Sequence, residues 1–539
     1  MHGTRAPRAI AGLLVLLVAV AAWGVAPATG ATTSPEALTG ECPTIMPLDQ
    51  ISTGMWGTAV SVTRGRTLST FNAEVLGVLR DAVGPGRHII IADLSGPVVD
   101  AAGGLWAGAS GSPVFFRDPS TGRDELAGAI AYGLAGGGST LAGLTPAEDM
   151  QALLEDGGDA ALLDSRAIAV PNGLAMKMSE ATGLSVAETG TITRLRTPLS
   201  ASGLTDRGLR HMQRAIDRQG LPFIAYMGSS ASRTSTTPPG RLRAGDSFAG
   251  AMSLGDVTVA GIGTTTFVCD GQAVAFGHPF NWTGETIMAA RAADTITIVE
   301  DPIFGSYKLA NIAENVGTLT QDRLAGIVAE LGDGPVGNPI TSTVTDLDTG
   351  RTRSGESEAV MPDFLPFLSF SHLFQNIDVT IDRIGPGSSE IDYTIRGTRD
   401  GGRTWALTRS TSYVSAFDIS FDSVLEPSFT AEVLQAFEDE DIEVTSLEVP
   451  TLDIKSAVES YRIRSLLVWR GGRYVSREFI RGRPGKLIRL RVVLKPTHRS
   501  GTRTVDLTLR VPDDARRSGY IEVVGGGSTF SVIPCIIFE

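Results

Sequence analysis

Cysteine is scarce: Cys42, Cys269 and Cys535 are the three in 539 residues, too few and too dispersed for a disulfide scaffold or a zinc ribbon. One pair can close as a disulfide if the chain is exported, leaving a third thiol over, and the spacing does not select the pair. Histidine is nearly as rare. The six (His2, His88, His211, His278, His372 and His498) include no His-Glu-x-x-His or other paired-ligand spacing, so neither a metal nor an organic cofactor is expected. Basic residues are outnumbered 46 to 59, a net charge of −13. That balance lacks the excess a nucleic-acid binder needs to neutralise phosphates, and it suits an anionic membrane surface no better. Aromatics reach only 6% and charged residues 19%, but hydrophobic residues make up 42%, too many for a disordered chain. With 63 glycines and 28 prolines the composition points to many turns, hence a mainly β protein. At roughly 150 residues per domain, three or four domains fit.

Long apolar runs are also missing, with one exception. Arg5 and Arg8 precede an uncharged run from Ala9 to Ala26, and Ala28, Gly30 and Ala31 offer small residues for cleavage. This is the pattern of a secretory signal peptide over 1–31. If it is not cleaved, it is just long enough for a membrane anchor, since spanning takes ~17–25 residues. Either way the rest of the chain is expected outside the cytoplasm, secreted or bound to the cell envelope, and touching a membrane only through this segment.

Strand-like runs follow at Gly57–Val62, Ala73–Leu79, His88–Leu94, Pro113–Phe116 and Leu126–Tyr132. Thr145-Pro146-Ala147-Glu148 reads as a capped helix start running to about Glu155, and a second helix is expected over Asp206–Arg218. Ser229–Gly240 reads as a polar linker. A hairpin is expected over Val257–Val268 and Gln272–Phe276, turning at Cys269-Asp270-Gly271. A further amphipathic helix is expected near Thr430–Phe437. Beyond it, alternating segments at Asp441–Val449, Ser465–Trp469, Lys486–Leu494 and Val505–Val511 suggest a β-sandwich-like domain over 431–539.

The strongest local signal is Gly108-Ala109-Ser110-Gly111-Ser112-Pro113, directly before a strand. A serine becomes nucleophilic when it is exposed on a constrained turn beside a base. Gly108 can adopt backbone angles that set its N–H parallel to that of Ser110, giving two donors for an oxyanion hole. Ser112 lacks that arrangement. This is the trypsin-like serine motif, not the Gly-x-Ser-x-Gly elbow of α/β-hydrolases. The base is sought in Gly277-His278-Pro279, at the end of the hairpin, where glycine and proline restrict the turn. A neutral His278 can take the Ser110 proton at pH 7. His88 lies in an apolar run, His211 on an Arg-rich helix, and His372 and His498 lie outside the region of the serine.

Together these segments resemble the SpoIVB-type serine peptidase domain. The similarity runs from Gly54-Met55-Trp56-Gly57-Thr58 through Phe71–Leu79, Leu94-Ser95-Gly96-Pro97, the serine turn, Gly128–Gly133 and Ala142–Met150, and resumes over Gly261–Thr264, Ala275–Pro279 and Gly317–Arg323. It covers about 47–335. The resemblance implies a trypsin-like double β-barrel, nucleophile Ser110, general base His278 and hydrolysis of protein or peptide substrates through an acyl-enzyme. There are two departures. Ser110 precedes His278, so the halves assemble in permuted order, the serine half over 47–165 and the histidine half over 166–335, with a mixed β connection over 336–430. Ser95 stands where the family has its aspartate, leaving Asp93, Asp100 or Asp270 to orient the base. The alternative is a pseudopeptidase that keeps the barrels and serves as a binding module of the cell envelope.

Overall fold

The structure is a computed structural model; it describes residues 42–523 apart from 135–137, 157–166, 231–241, 302–304, 438–440, 498–499 and 516–518. The proposed leader at 1–31, Cys535, His498 and nearly all of the linker at 229–240 lie outside the described residues. The chain is mainly β. Its first six strands are β1 (Trp56–Arg64), β2 (Thr67–Leu79), β3 (Ile89–Ser95), β4 (Pro113–Arg117), β5 (Asp124–Leu134) and β6 (Leu141–Pro146). They pair in the order β4-β1-β2-β3-β6-β5, and β5 returns to β4, closing an antiparallel barrel. Trp106, Phe71 and Phe116 fill it, all buried. Such side chains each contribute roughly 1.5–3 kcal/mol on leaving water. Two short strands, β7 (Ile168–Ala169) and β8 (Thr191–Arg194), extend this sheet past β5.

A second sheet begins with β9 (Thr197–Ser202) and β10 (Phe223–Met227). It continues through β11 (Ser247–Gly255), β12 (Thr258–Cys269), β13 (Gln272–Ala275), β14 (Gly284–Val299), β15 (Tyr307–Arg323) and β16 (Gly326–Leu331). These last six pair in sequence around a ring, β11-β12-β13-β16-β15-β14, with β14 back on β11, every pair antiparallel. Inside the ring, glycine makes room for aromatic rings. A Cβ at Gly261 would stand 2.1 Å from the Phe280 ring, and one at Gly263 would stand 2.2 Å from the Phe276 ring. The two phenylalanines that bracket His278 are thereby locked into the ring's core.

The same sheet runs on through β17 (Asn338–Asp346), β18 (Arg351–Ala359), β19 (Gly387–Arg399), β20 (Arg403–Ser415) and β21 (Glu443–Lys455). It is covered by two helices, Leu365–Ile381 and Ile419–Gln435. The second helix starts well before the expected Thr430 because Pro427 lies within it without ending it. Residues 431–539 do not form the expected sandwich among the described residues. β21 belongs to the large sheet, and β22 (Tyr461–Arg470), β23 (Arg473–Ser476), β24 (Leu487–Pro496) and β25 (Arg503–Arg510) make one four-stranded antiparallel sheet, with no second sheet facing it among the described residues. The alternation that suggested facing sheets is present, but the apolar side of β25 is left exposed: Val505, Leu507 and Leu509.

Cys42 and Cys269 form a disulfide, settling the pairing left open by the sequence and compatible with a protein outside the cytoplasm. Among the described residues no helix is long and apolar enough to cross a membrane.

Candidate active site

The serine turn leaves the first barrel between the short helix Pro97–Ala101 and β4, and is held from the second sheet along its length. The Lys308 N–H donates to Ala107 O at 2.8 Å, the Thr264 hydroxyl to Gly108 O at 3.0 Å, the Thr264 N–H to Ser110 O at 2.8 Å, and the Thr266 hydroxyl to Gly111 O at 2.9 Å. Gly108 and Gly111 sit at φ +88° and +90°, a region costly for other residues. Because the Ala107 carbonyl is fixed by Lys308, the Gly108 N–H of the same planar peptide must point the opposite way. Among the described residues no protein group accepts from the N–H of Gly108 or Ser110, as two oxyanion donors require.

The histidine comes from the other side. β13 ends at Ala275, and Phe276 and Gly277 both take positive φ, +70° and +67°. For phenylalanine this is a strained conformation of the sort found where surrounding structure dictates the backbone. The Phe276 side chain, packed against Gly263 inside the ring of β11 to β16, supplies that constraint. Thr145, expected as a helix cap, instead donates its hydroxyl across the interface to Gly277 O at 2.5 Å; its helix begins only at Ala147.

These anchors bring His278 Nε2 to 2.8 Å from Ser110 Oγ, across 168 residues of sequence. His278 Nδ1 lies 2.8 Å from Pro279 O. A carbonyl can only accept, so Nδ1 carries the proton and Nε2 of the neutral ring accepts from the serine hydroxyl. Burial, together with the positive charge of Arg194, pushes the His278 pKa down to about 3, so the ring is neutral at ordinary pH. Arg194 also donates to Pro279 O at 3.1 Å. The pair is enclosed: Ser110 is 2% exposed and His278 0%. Ser112 Oγ is buried with no hydrogen-bond partner among the described residues.

The three candidate carboxylates stand away from His278. Asp93 accepts from Thr140 on the first barrel. Asp100 is exposed on its short helix. Asp270 occupies the hairpin turn at φ +48°, separated from His278 by the whole of β13. None has a hydrogen bond or ion pair to His278 among the described residues. A fourth carboxylate, passed over in the sequence, stands behind the histidine loop. Asp322 is fully buried and accepts from the N–H groups of Phe280 at 2.6 Å, Asn281 at 2.7 Å and Thr283 at 3.3 Å. Its segment, Gly317–Arg323, was singled out in the sequence, but no spacing rule linked position 322 to position 278.

No metal-type cluster lies at this pair; among the described residues the single grouping of that kind is Cys42, Cys269 and Asp270, whose sulfurs are joined in the disulfide. Comparison with known proteins found no matching family model, no matching curated protein and no matching solved structure.

Proposed function

We propose that the chain is an exported serine endopeptidase of SpoIVB type, its two closed six-stranded walls being the barrels of a trypsin-like fold assembled in permuted order. Ser110 is the nucleophile, His278 the general base, and the N–H groups of Gly108 and Ser110 the oxyanion hole. The observation that carries the reading is the 2.8 Å contact between Ser110 Oγ and an unprotonated His278 Nε2, made by two residues from different barrels. In the acylation step Oγ bonds to the scissile carbonyl carbon while its proton passes to Nε2. The negative oxygen of the tetrahedral intermediate lies against the two N–H groups, and the proton then goes to the departing amine. Protein or peptide substrates fit this chemistry, and it calls for no cofactor.

The imidazolium formed in that step lies in an enclosed site and has no carboxylate on Nδ1. Asp322 takes the role indirectly. It accepts from the Phe280 N–H, and that N–H shares a peptide unit with the Pro279 carbonyl that receives Nδ1–H. A carboxylate there polarises the peptide and strengthens its carbonyl as an acceptor. Asp322→Asn is expected to lower the rate of acylation roughly 10–100-fold with KM little changed, because the loop that aims the ring loses acceptors for its N–H groups. A rise in KM accompanying a fall in both rate and melting temperature would assign Asp322 a purely structural part.

The near-total burial of Ser110 and His278 favours a second reading, a binding module of the cell envelope whose barrels persist without turnover. A fluorophosphonate serine probe separates the two. Under the peptidase reading the folded protein is labelled at neutral pH, and Ser110→Ala and His278→Ala both abolish labelling. A well-folded protein that resists the probe points to the binding module, and labelling that survives Ser110→Ala removes Ser110 from the mechanism.

A further inference from the structure

The net charge of −13 conceals a sharp segregation. Residues 461–510, which span the C-terminal sheet, hold 14 Lys and Arg against 2 Asp and Glu, a net +12 that leaves −25 on the rest of the chain. Internal pairing barely reduces it. The ion pairs of this sheet among the described residues are Arg491 with Asp506 at 2.5 Å and Arg510 with Asp513 at 3.0 Å.

Part of this charge lies in the loop between β23 and β24. Over ten residues, 477–486, it carries Arg477, Arg481, Arg483 and Lys486 against Glu478 alone, and all four cations are exposed. Among them Phe479 is 85% exposed, and Leu487, directly after the loop, is 66% exposed. The loop's stem is tied to the sheet. Arg470 donates to Arg481 O at 2.8 Å, the Gly485 N–H to Val511 O at 2.9 Å, and the Val511 N–H to Lys486 O at 2.9 Å. A phenylalanine held in water by an anchored loop that also carries four cations has an unfavourable environment unless something covers it. The matching environment is the boundary of a lipid bilayer, where the ring enters the acyl region and the guanidinium groups pair with phosphate headgroups.

We propose that the loop 477–486 is a membrane-docking site for a surface of anionic phospholipid, reached from outside the cytoplasm and independent of the Ser110–His278 pair. Phe479 inserts, with Leu487 beside it, while Arg477, Arg481, Arg483 and Lys486 take the headgroup phosphates. The acidic remainder of the chain is repelled by the same surface, so the protein docks with this sheet down and its barrels held away from the lipid. A soluble polyanion satisfies the arginines but leaves Phe479 in water, and the exposed ring therefore favours the bilayer.

The test uses protein beginning at residue 32, which retains every described element and lacks the apolar leader. Co-sedimentation compares vesicles of phosphatidylglycerol and phosphatidylcholine with vesicles of phosphatidylcholine alone. Binding to the anionic vesicles is expected to be at least tenfold tighter and to weaken with salt. A combined Arg477→Gln, Arg481→Gln, Arg483→Gln variant removes that preference and its salt dependence, and Phe479→Ala weakens binding several-fold at every salt concentration. In Phe479→Trp the introduced indole shifts to the blue on binding and is quenched by bromine-labelled acyl chains. Equal binding to both kinds of vesicle overturns the proposal. So does binding to dextran sulfate as tightly as to vesicles with no blue shift, which assigns the loop to a soluble polyanion. All four sites are exposed, so unchanged melting temperatures are expected throughout.

Discussion

Gly111→Ala is expected to destabilise the protein by about 2–5 kcal/mol and to separate Ser110 from His278. Two effects add. The backbone at this position has φ +90°, which an alanine adopts at a cost of roughly 1–2 kcal/mol. The new Cβ would also stand 1.9 Å from Thr264 O and 2.5 Å from Phe276 N. Both are backbone atoms of the second sheet, so no rotamer change relieves the overlap, and overpacking of this kind adds roughly 1–3 kcal/mol. The strands can relieve it by moving the serine turn away from β12 and β13, which breaks the bond from Thr266 to Gly111 O and carries Ser110 away from the imidazole. Gly122→Ala is the control. It also has positive φ, +68°, but a Cβ there meets nothing within 4 Å, so only the conformational effect remains. Thermal melting and probe labelling of the two variants decide the matter. A Gly111→Ala protein that melts with the control and still labels would mean that the seam between the first barrel and the second sheet is loose, and that the Ser110–His278 contact is not set by this close approach.

That close approach explains what the sequence disclosed and what it did not. The serine turn and the histidine turn were legible because each is local: glycine and proline at fixed offsets, placed beside runs with strand periodicity. Strands β1 to β5 of the first barrel and the Val257–Phe276 hairpin were legible for the same reason, since alternation survives wherever one face is buried, whereas β6 was not, its end having the residues of a helix start. What stayed hidden depends on contacts remote in sequence. Thr145 has the residues of a helix cap around it, but its hydroxyl reaches Gly277 O, 132 positions away. Asp322 has no local signature because its partners are backbone N–H groups of another loop. The helix Leu365–Ile381, read within a mixed β connection, is buried on most sides, with Leu365, Leu368, Leu373, Phe374 and Ile377 all in the core, and a helix apolar around much of its circumference loses the period that identifies it. The C-terminal alternation was real, but alternation reports a half-buried strand and does not report how many sheets share the burial.

The seam also contains a buried amine, and this leads to the second large effect. Lys308 is fully enclosed, its Nζ 3.0 Å from Thr264 Oγ1 and 3.2 Å from Ser247 Oγ. Burial lowers its pKa to about 7, with the charge of Asp246 opposing. In the unfolded chain a lysine titrates near 10.4. Between pH 7 and about 10.5 the unfolded state therefore binds the proton more tightly than the folded state, and stability rises with pH across that window, by roughly 5 kcal/mol in all; below pH 7 the full cost persists. His278 and His372, lowered by burial to about 3 and about 4, act in the same direction at lower pH. Stability should fall as the pH drops from 6.5 towards 3, because the unfolded imidazoles protonate first. Lys308→Met isolates the first effect. The side chain keeps its volume, Thr264 keeps its bond to Gly108 O, and Ser247 keeps its bond to Thr295 at 2.8 Å. Denaturant unfolding from about pH 3 to 10.5 should show the variant more stable than wild type by several kcal/mol near pH 7, with the gain vanishing towards about pH 10.5 and the acid decline below about pH 6.5 unchanged. If the variant is instead less stable at pH 7, the amine holds β15 to the serine turn strongly enough to outweigh its own burial. Lys308 would then be part of what fixes the Gly108 N–H, since its Cβ lies 2.8 Å from the position a Cβ on Gly108 would occupy.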